Sequence, residues 1–326
     1  MSVYTSVDAK QLEAFLRRYN IGSLIHHRGI TAGITNTNYA LETTAGAFIL
    51  TLYEHHSESA LDYILGLQHH LANKNIACAA PVIDNRNRLY SSLNQRSAAI
   101  IERVPGQVCQ SVSSRHCAII GAELARFHLA GSDYTAKRNN PCGLDWYVVI
   151  AKKLDPVLNR SERILLHQEI DIYLQYPFTS LPQGSIHADI FHDNVLFDGD
   201  RLGGIIDFDY ACYGSLIYDL AVIMNDWCIF TNGELDPART EPLLQAYHRV
   251  RPLQDRELKA LNLMLRVGAL RFWLSRLNDM KFPLGGEMTF HKDPDEFRDM
   301  LLLRRNHPTH QHDLLADTKG GKNSSQ

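Results

Sequence analysis

The sequence predicts a two-lobed α+β protein, with a small antiparallel-sheet lobe ahead of a larger helical one. Three observations predict it. Alternating apolar patterns fill the first hundred residues, and helical periodicity fills most of the rest. Between them, "VPGQ" (Val104–Gln107) places Pro and Gly where the character changes. The expected divisions are 1–104, 105–308 and a tail at 309–326, where apolar periodicity is lost and disorder is expected. Two lobes leave a cleft, where ligands tend to bind.

The elements follow in order. Leu12, Phe15, Leu16 and Tyr19 fall on one helical face, and Gly22 suits a C-terminal cap. "NYALE" and "AFILTLY" read as a hairpin about the turn "TTAG". A helix is expected over roughly Ser57 to Asn75, then strands at "RLYSS" and "SAAIIERV". Beyond the hinge, "HCAIIGAELARFHLAG" puts Cys117, Ile120, Leu124 and Phe127 on one face. Further helices are expected at "LDWYVVIAKKLDPVL", "RILLHQEIDIYLQY", "DPARTEPLLQAYHRV" and the long "RELKALNLMLRVGALRFWLSRLNDM". Two short strands, "NVLFDG" and "RLGGIIDFD", lie among them.

Composition narrows the function classes. Of 326 residues 45% are apolar, enough for a substantial core, and the formal net charge is −3. No global basic field is available for nucleic acid or anionic membrane, so neither is expected as a partner. No apolar run reaches membrane-span length, and the N-terminal segment reads as an amphipathic helix rather than a signal peptide. The six cysteines include no C-x-x-C pair, which argues against a zinc ribbon or disulfide framework and for reduced thiols in the cytoplasm.

The densest chemistry lies in "SIHADIFHDNVLFDGD" (Ser185–Asp200). Such a segment suits a metal cage, a phosphotransferase loop or an ordinary polar loop. If "NVLF" and "GGIID" form a hairpin, Asn194 and Asp207 come to the same end of it. Phosphoryl transfer needs a carboxylate to orient and deprotonate a hydroxyl, and hard oxygen ligands to hold Mg²⁺ on nucleotide phosphates. Asp189 fits the first need; Asn194 and Asp207 fit the second. Asp193, Asp198 and Asp200 read as turn residues, and Asp209 as a possible second contact to metal or substrate.

D-x-x-x-x-N followed by an Asp after two strands resembles the kinase-like family. "HADIFHDNVLF", "IIDFD" and "YDLA" resemble its aminoglycoside-phosphotransferase branch. "GITAGITNTNY", "FILTLYE", "LGLQHHLA", "RFWLSRLND" and "KDPDEFRDMLLLR" are similar to the homoserine kinases built on that fold, over roughly residues 29–304. The resemblance implies a protein-kinase-like fold and an ATP- and Mg²⁺-dependent enzyme. Its reaction would convert L-homoserine to O-phospho-L-homoserine on the route to threonine. It implies Asp189 as base, Asn194 and Asp207 as magnesium ligands, and Asp219 as a clamp on the loop. A related small-alcohol or aminoglycoside phosphotransferase is the alternative. A metal-dependent phosphohydrolase using His187, Asp189, His192 and Asp207, or an ATP-binding module without turnover, are the more distant ones.

Each remaining candidate has a plain reading beside the functional one. Gly29 and Gly33 are ordinary turn glycines, or let the backbone approach phosphates. Asn36 and Asn38 belong to the same hairpin. Glu102 to Val104 are a linker, a hinge whose backbone binds adenine, or both. His187 is expected to bond backbone and shape the loop, and His192 to face substrate or solvent. On the long helix, Arg266, Arg271, Arg276 and Asp279 would usually form a solvated face. An amino-acid acceptor, however, needs a cation for its carboxylate and an anion for its ammonium group. Arg271 or Arg276, with Asp226 or Asp279, are the candidates. Kinase-like folds usually carry a phosphate-binding lysine on the strand "FILTLYE". Here Thr51 takes the aligned position, and no lysine occurs between Lys10 and Lys74.

Overall fold

Asp8 starts the first helix, α1 (Ala9–Leu16). Its carboxylate accepts from the Gln11 amide while the Gln11 side chain returns to the Asp8 amide, so two end groups are satisfied at once. The computed structural model describes residues 5–30, 35–283 and 292–308; the expected tail at 309–326 lies outside them. α1 ends at Leu16, so Gly22 is not its cap. Gly22 instead turns the chain with a φ of 75°, a left-handed conformation that glycine adopts without a steric cost.

Five antiparallel strands follow: β1 (Leu24–Ile30), β2 (Thr37–Thr43), β3 (Gly46–Tyr53), β4 (Ser91–Leu93) and β5 (Arg96–Glu102), in the order β1-β2-β3-β5-β4. Alternation sends Leu50 and Leu52 of β3 towards α1, and Ile49 and Tyr53 towards α2 (Glu58–Asn73). α2 buries Leu61 and Leu65 against the sheet, and Ile64, Leu67 and Leu71 in the main core. The expected strand "RLYSS" shortens to Ser91–Leu93. Its first part is bent by Asp84, whose carboxylate accepts from the Arg86 and Arg88 amides and the Arg88 guanidinium.

The helical body contains β6 (Gln107–Val108), α3 (Ser114–Ala130), α4 (Leu144–Leu154), α5 (Arg160–Gln175), β7 (Gln183–Ile186), β8 (Val195–Asp198), β9 (Arg201–Ile205), β10 (Cys212–Ser215), α6 (Ile217–Trp227), α7 (Pro237–Val250), α8 (Asp255–Lys281) and α9 (Asp295–Asn306). β6, β7 and β10 were not expected; segments this short carry too little periodicity to read. α3 crosses α7 so closely that a Cβ on Gly121 would sit 2.3 Å from the Leu243 carbonyl oxygen. α8 buries Leu265, Leu270, Trp273 and Leu274 among α4, α5, α6 and α9.

The hairpin β8–β9 is tied to both lobes. Ile205 exchanges hydrogen bonds with the 77–79 segment: the Ala79 amide donates to its carbonyl and its own amide donates to Ala77, both at 2.9 Å. Gly203 lies against the hinge, where an added Cβ would come within 1.9 Å of the Pro105 carbonyl oxygen. Gly203→Ala is therefore expected to cost about 1–3 kcal/mol of stability, the range for forced overpacking. Urea unfolding checks this. An unchanged midpoint would show that the hinge yields without cost.

Candidate active site

The β8–β9 hairpin pairs Val195 with Ile205, and the Ile206 amide donates to the Asn194 carbonyl at 2.9 Å. Asn194 and Asp207 thereby stand at the same end. Asn194 reaches back to the preceding loop: its Nδ2 donates to the Asp189 carbonyl at 2.8 Å and lies 3.4 Å from Asp189 Oδ2. The structure thus brings Asp189, Asn194 and Asp207 together. Asp207 has a φ of 61°, a left-handed geometry that aspartate tolerates better than most residues.

Ala188, just before Asp189, has a φ of 64°, and alanine has no polar side chain to offset that strain. Asp219 on α6 holds it there. This fully buried carboxylate accepts from the His187 amide (2.8 Å) on Oδ2 and the Ala188 amide (2.7 Å) on Oδ1. His128 Nε2 adds a third contact at 3.1 Å. His128 Nδ1 lies 2.7 Å from the Tyr247 hydroxyl, which accepts from Arg251 (3.1 Å), which in turn pairs with Glu257 (2.9 Å). The Asp219 carboxylate can only accept, so the ring's proton sits on Nε2 and Tyr247 donates to Nδ1. Burial keeps His128 below its ordinary pKa, and Asp219 only partly offsets this, which agrees with a neutral ring.

The site is rich in acid. Burial pushes the Asp189 carboxyl up, and Arg271 pulls it only partly back. Asp207 is open to water in the cleft, yet crowding by the cleft walls and the charges of Asp209 and Asp189 push it well up; the water moderates that push. Asp209 is raised by burial against the pull of His56 and Asn36. Such uncompensated carboxylates suit a bound cation. The donors fit magnesium: Asp207 offers carboxylate oxygen, and Asn194 Oδ1 accepts no hydrogen bond from the described residues. Magnesium commonly takes one or two protein oxygens and completes its shell with phosphate and water. Among the described residues no group of three or more His, Cys, Asp or Glu could hold a metal. His187 is engaged with the Ile206 carbonyl (3.0 Å) and the Asp189 amide (3.3 Å), and His192 with Asp226 (2.8 Å), so no histidine cage is assembled.

The other expected residues divide. Arg271 enters the site: Nη1 donates to Asp189 Oδ1 at 3.0 Å, and the side chain is 4% exposed. Its guanidinium lies 4.3 Å from the Tyr210 ring centre and 3.8 Å from that of Phe272. Arg276 instead pairs with Glu296 (2.7 Å) and the Asp293 carbonyl (2.9 Å), and packs over Phe297. Asp279 is on the exposed face of α8 beside Asn278, and Arg266 forks onto Glu169 at 2.7 and 2.9 Å. Asp226 accepts from the His192 amide and ring. Gly29 lies within β1 opposite Tyr39 rather than in a turn, and Gly33 lies outside the described residues. At the hinge the Glu102 amide donates to Ala80, while the Val104 amide has no partner among the described backbone groups.

Asn36, expected in the sheet-lobe hairpin, donates to Asp209 at 2.7 Å and so joins the sheet lobe to the helical one. Sequence reasoning missed several other residues here: His56 stands 3.9 Å from the same carboxylate. Arg138 ties down the loop after Asp207 through the carbonyls of Asp209 (2.7 Å) and Ala211 (2.9 Å). His128, Tyr247 and Arg251 gave no local signal of this role, because His128 lies on α3 and the other two on and just after α7, more than a hundred residues away. A surface hollow lined by Arg17, Arg18, Asp84 and Arg88 among others is on the sheet lobe and shares no lining residue with this site. It carries none of the chemistry described above.

A family model described as "Phosphotransferase enzyme family" matches residues 26–253. A homoserine kinase of Methylobacillus flagellatus is 44% identical over 92% of this chain and 94% of its own length. A homoserine kinase of Neisseria meningitidis serogroup B is 41% identical over 93% and 99%. Among solved structures, amicoumacin kinase hAmiN superposes with a TM-score of 0.71 at 16% identity, over 94% of this chain and 97% of that one. A choline kinase from Cryptosporidium parvum gives 0.61 at 14% identity, over 96% and 97%. At these identities the structural likenesses speak for the fold alone.

The Asp219 contacts yield a direct test. Asp219→Asn keeps the shape but turns an amide N–H towards groups that all donate. A stability loss of about 1–3 kcal/mol is expected, the penalty for buried donors left unpaired, together with faster hydrogen exchange at Ala188. Unchanged exchange would show that other contacts hold the loop.

Proposed function

The chain belongs to the phosphotransferase enzyme family, and from that premise we propose that it is an ATP-dependent homoserine kinase, converting L-homoserine to O-phospho-L-homoserine. The chemistry rests above all on one observation: Asp189, Asn194 and Asp207 converge at one end of the β8–β9 hairpin. The acceptor rests on homoserine kinases at 41–44% identity across nine-tenths of the chain.

Asp189 is the proposed base. It orients the acceptor hydroxyl and receives its proton as the oxygen bonds to the γ-phosphorus and the bond to the β,γ-bridging oxygen breaks, releasing ADP. Asn194 and Asp207 are the proposed magnesium ligands; bound there, the ion would neutralise phosphate charge. Asp219 and His187 hold the loop on which Asp189 sits. The Val104 amide is the proposed adenine contact, with the hinge around Glu102 beside it; Gly29 and Gly33 are the proposed phosphate-approach positions. Of the two arginines considered for the acceptor carboxylate, Arg271 is favoured, because Arg276 is engaged with Glu296. Asp226, beside His192, is favoured over Asp279 for the ammonium group, since Asp279 lies on the exposed face of α8.

The alternatives carry less support. A phosphohydrolase with a histidine cage would need His187 free to bind metal, and both of its ring nitrogens are engaged. A polycationic acceptor would favour an acidic pocket without an arginine on the base. The cytoplasm is the proposed location, in keeping with six unbridged cysteines and with no described helix being long and apolar enough to cross a membrane.

Asp189→Asn is expected to lower turnover roughly 10²- to 10⁴-fold, the range for a lost general base, with ATP affinity little changed. Near-normal turnover would remove Asp189 from the mechanism. Asp207→Ala should abolish magnesium-dependent nucleotide binding in calorimetry; Mg·ATP binding at wild-type strength would refute that ligand assignment.

The Thr51 hydroxyl donates to Asn38 Oδ1 at 2.8 Å, so it is already engaged within the sheet. Thr51→Val should therefore lower kcat/KM for ATP by about tenfold or less, the worth of one neutral hydrogen bond. A thousandfold loss with the fold intact by circular dichroism would make Thr51 central to phosphate binding.

A further inference from the structure

Arg271 is a buried cation with most of its hydrogen-bonding capacity unused. One of its five N–H groups donates to Asp189 Oδ1 at 3.0 Å. The other four meet no acceptor among the described residues, although the side chain is only 4% exposed. After Asp189, the groups that bear on it most are Cys142, Tyr210 and Tyr218, so no second carboxylate among the described residues stands against it. A buried guanidinium is usually matched by an anion on its fork. Half of that match is the base itself; the rest is missing.

The guanidinium is also held in place. Tyr210 and Phe272 lie against it, at 4.3 Å and 3.8 Å from its central carbon to their ring centres. Tyr210 belongs to the segment just after Asp207, and Phe272 to α8. A group fixed by two rings and by Asp189 is poorly placed to swing out after a ligand. An incoming carboxylate would have to come to it.

We propose that Arg271 is the specificity-determining residue, shared between base and acceptor: Nη1 holds Asp189 while the remaining N–H groups receive the acceptor's α-carboxylate. This rests on the reading of Asp189 as the base and homoserine as the acceptor. One planar group then fixes both the carboxylate of the acceptor and the oxygen that takes its hydroxyl proton. The acceptor's hydroxyl is delivered to Asp189 because its other end is seated on the same guanidinium. The proton moves from the hydroxyl to Asp189, the oxygen–phosphorus bond forms, and ADP leaves with the electrons of the broken phosphorus–oxygen bond. An amino alcohol without the carboxylate loses alignment as well as affinity, so the penalty falls on kcat as well as on KM.

The test compares two acceptors on the full chain with Mg·ATP, following ADP production. They are L-homoserine and 3-aminopropan-1-ol, which is homoserine without its carboxylate. The wild type should prefer homoserine by roughly 10²-fold or more in kcat/KM, with part of the difference in kcat. Arg271→Met should lower kcat/KM for homoserine by roughly 10²- to 10³-fold, the usual loss when a buried charged partner is truncated. It should also narrow the preference to about tenfold or less. Arg271→Lys keeps a charge beside Asp189 but lacks the fork, and should also narrow the preference; it supplies the same comparison should the methionine variant not fold. Nucleotide binding by calorimetry shows that each variant is folded. If both acceptors fall by the same factor in the variants, Arg271 serves the base alone and the inference is wrong. If the wild type turns over neither acceptor while binding Mg·ATP, the homoserine reading itself fails, and the inference with it.

Discussion

A single buried carboxylate, Asp219, fixes the geometry on which the site depends. Its two oxygens take the amides of His187 and Ala188, and so hold Ala188 in a left-handed conformation that alanine seldom adopts. That conformation sets the direction of the next residue, Asp189. The carboxylate is in turn supported by a directional chain from Glu257 through Arg251, Tyr247 and His128, linking α8, α7 and α3 behind the loop. Each link of the chain pairs a donor with an acceptor, and a polar network paired in this way favours one arrangement.

In front of that loop the balance is different. Burial raises the proton affinity of Asp189, Asp207 and Asp209, Asp189 adds to that at the other two, and Asp209 adds to it at Asp207. The chain supplies compensation in fixed places: Arg271 on Asp189, Asn36 and His56 on Asp209, and Arg138 on nearby carbonyls. Asp207 receives no cation from the described side chains within salt-bridge reach. The acid left over is therefore concentrated where a metal ion and phosphates would need it, beside the unused oxygen of Asn194. The Thr51 hydroxyl belongs to the sheet through Asn38, and the cleft's compensation comes from both lobes, Asn36 and His56 on one side and Arg271 on the other.

How much of this was legible depends on distance along the chain. The hairpin that unites Asn194 and Asp207 is local, since two short strands and a tight turn allow only one relative placement of their ends. The kinase-like arrangement was readable for that reason, and Asp189 with it, five residues ahead. The two-lobed class was readable because period-two and period-3.6 patterns divide the chain at Val104–Gln107. Local reading also erred locally. Gly22 lies in the turn before β1 and not at the end of α1, and Gly29 is a strand residue, because glycine alone does not say which turn it serves.

The sequence by itself determined the fold class, the hairpin and the residue types gathered at its end. Only the tertiary structure decided which arginine of α8 meets Asp189. Arg271 and Arg276 sit five residues apart on one helix, which is well over one turn, so they point in different directions. One reaches Asp189, 82 residues away in sequence, and the other reaches Glu296. The same holds for His128, 91 residues from Asp219, and for Asn36, 173 residues from Asp209. Periodicity reports how a side chain faces its own helix axis or sheet plane. It carries no term for how two elements are packed against each other, and these contacts exist only once that packing is set.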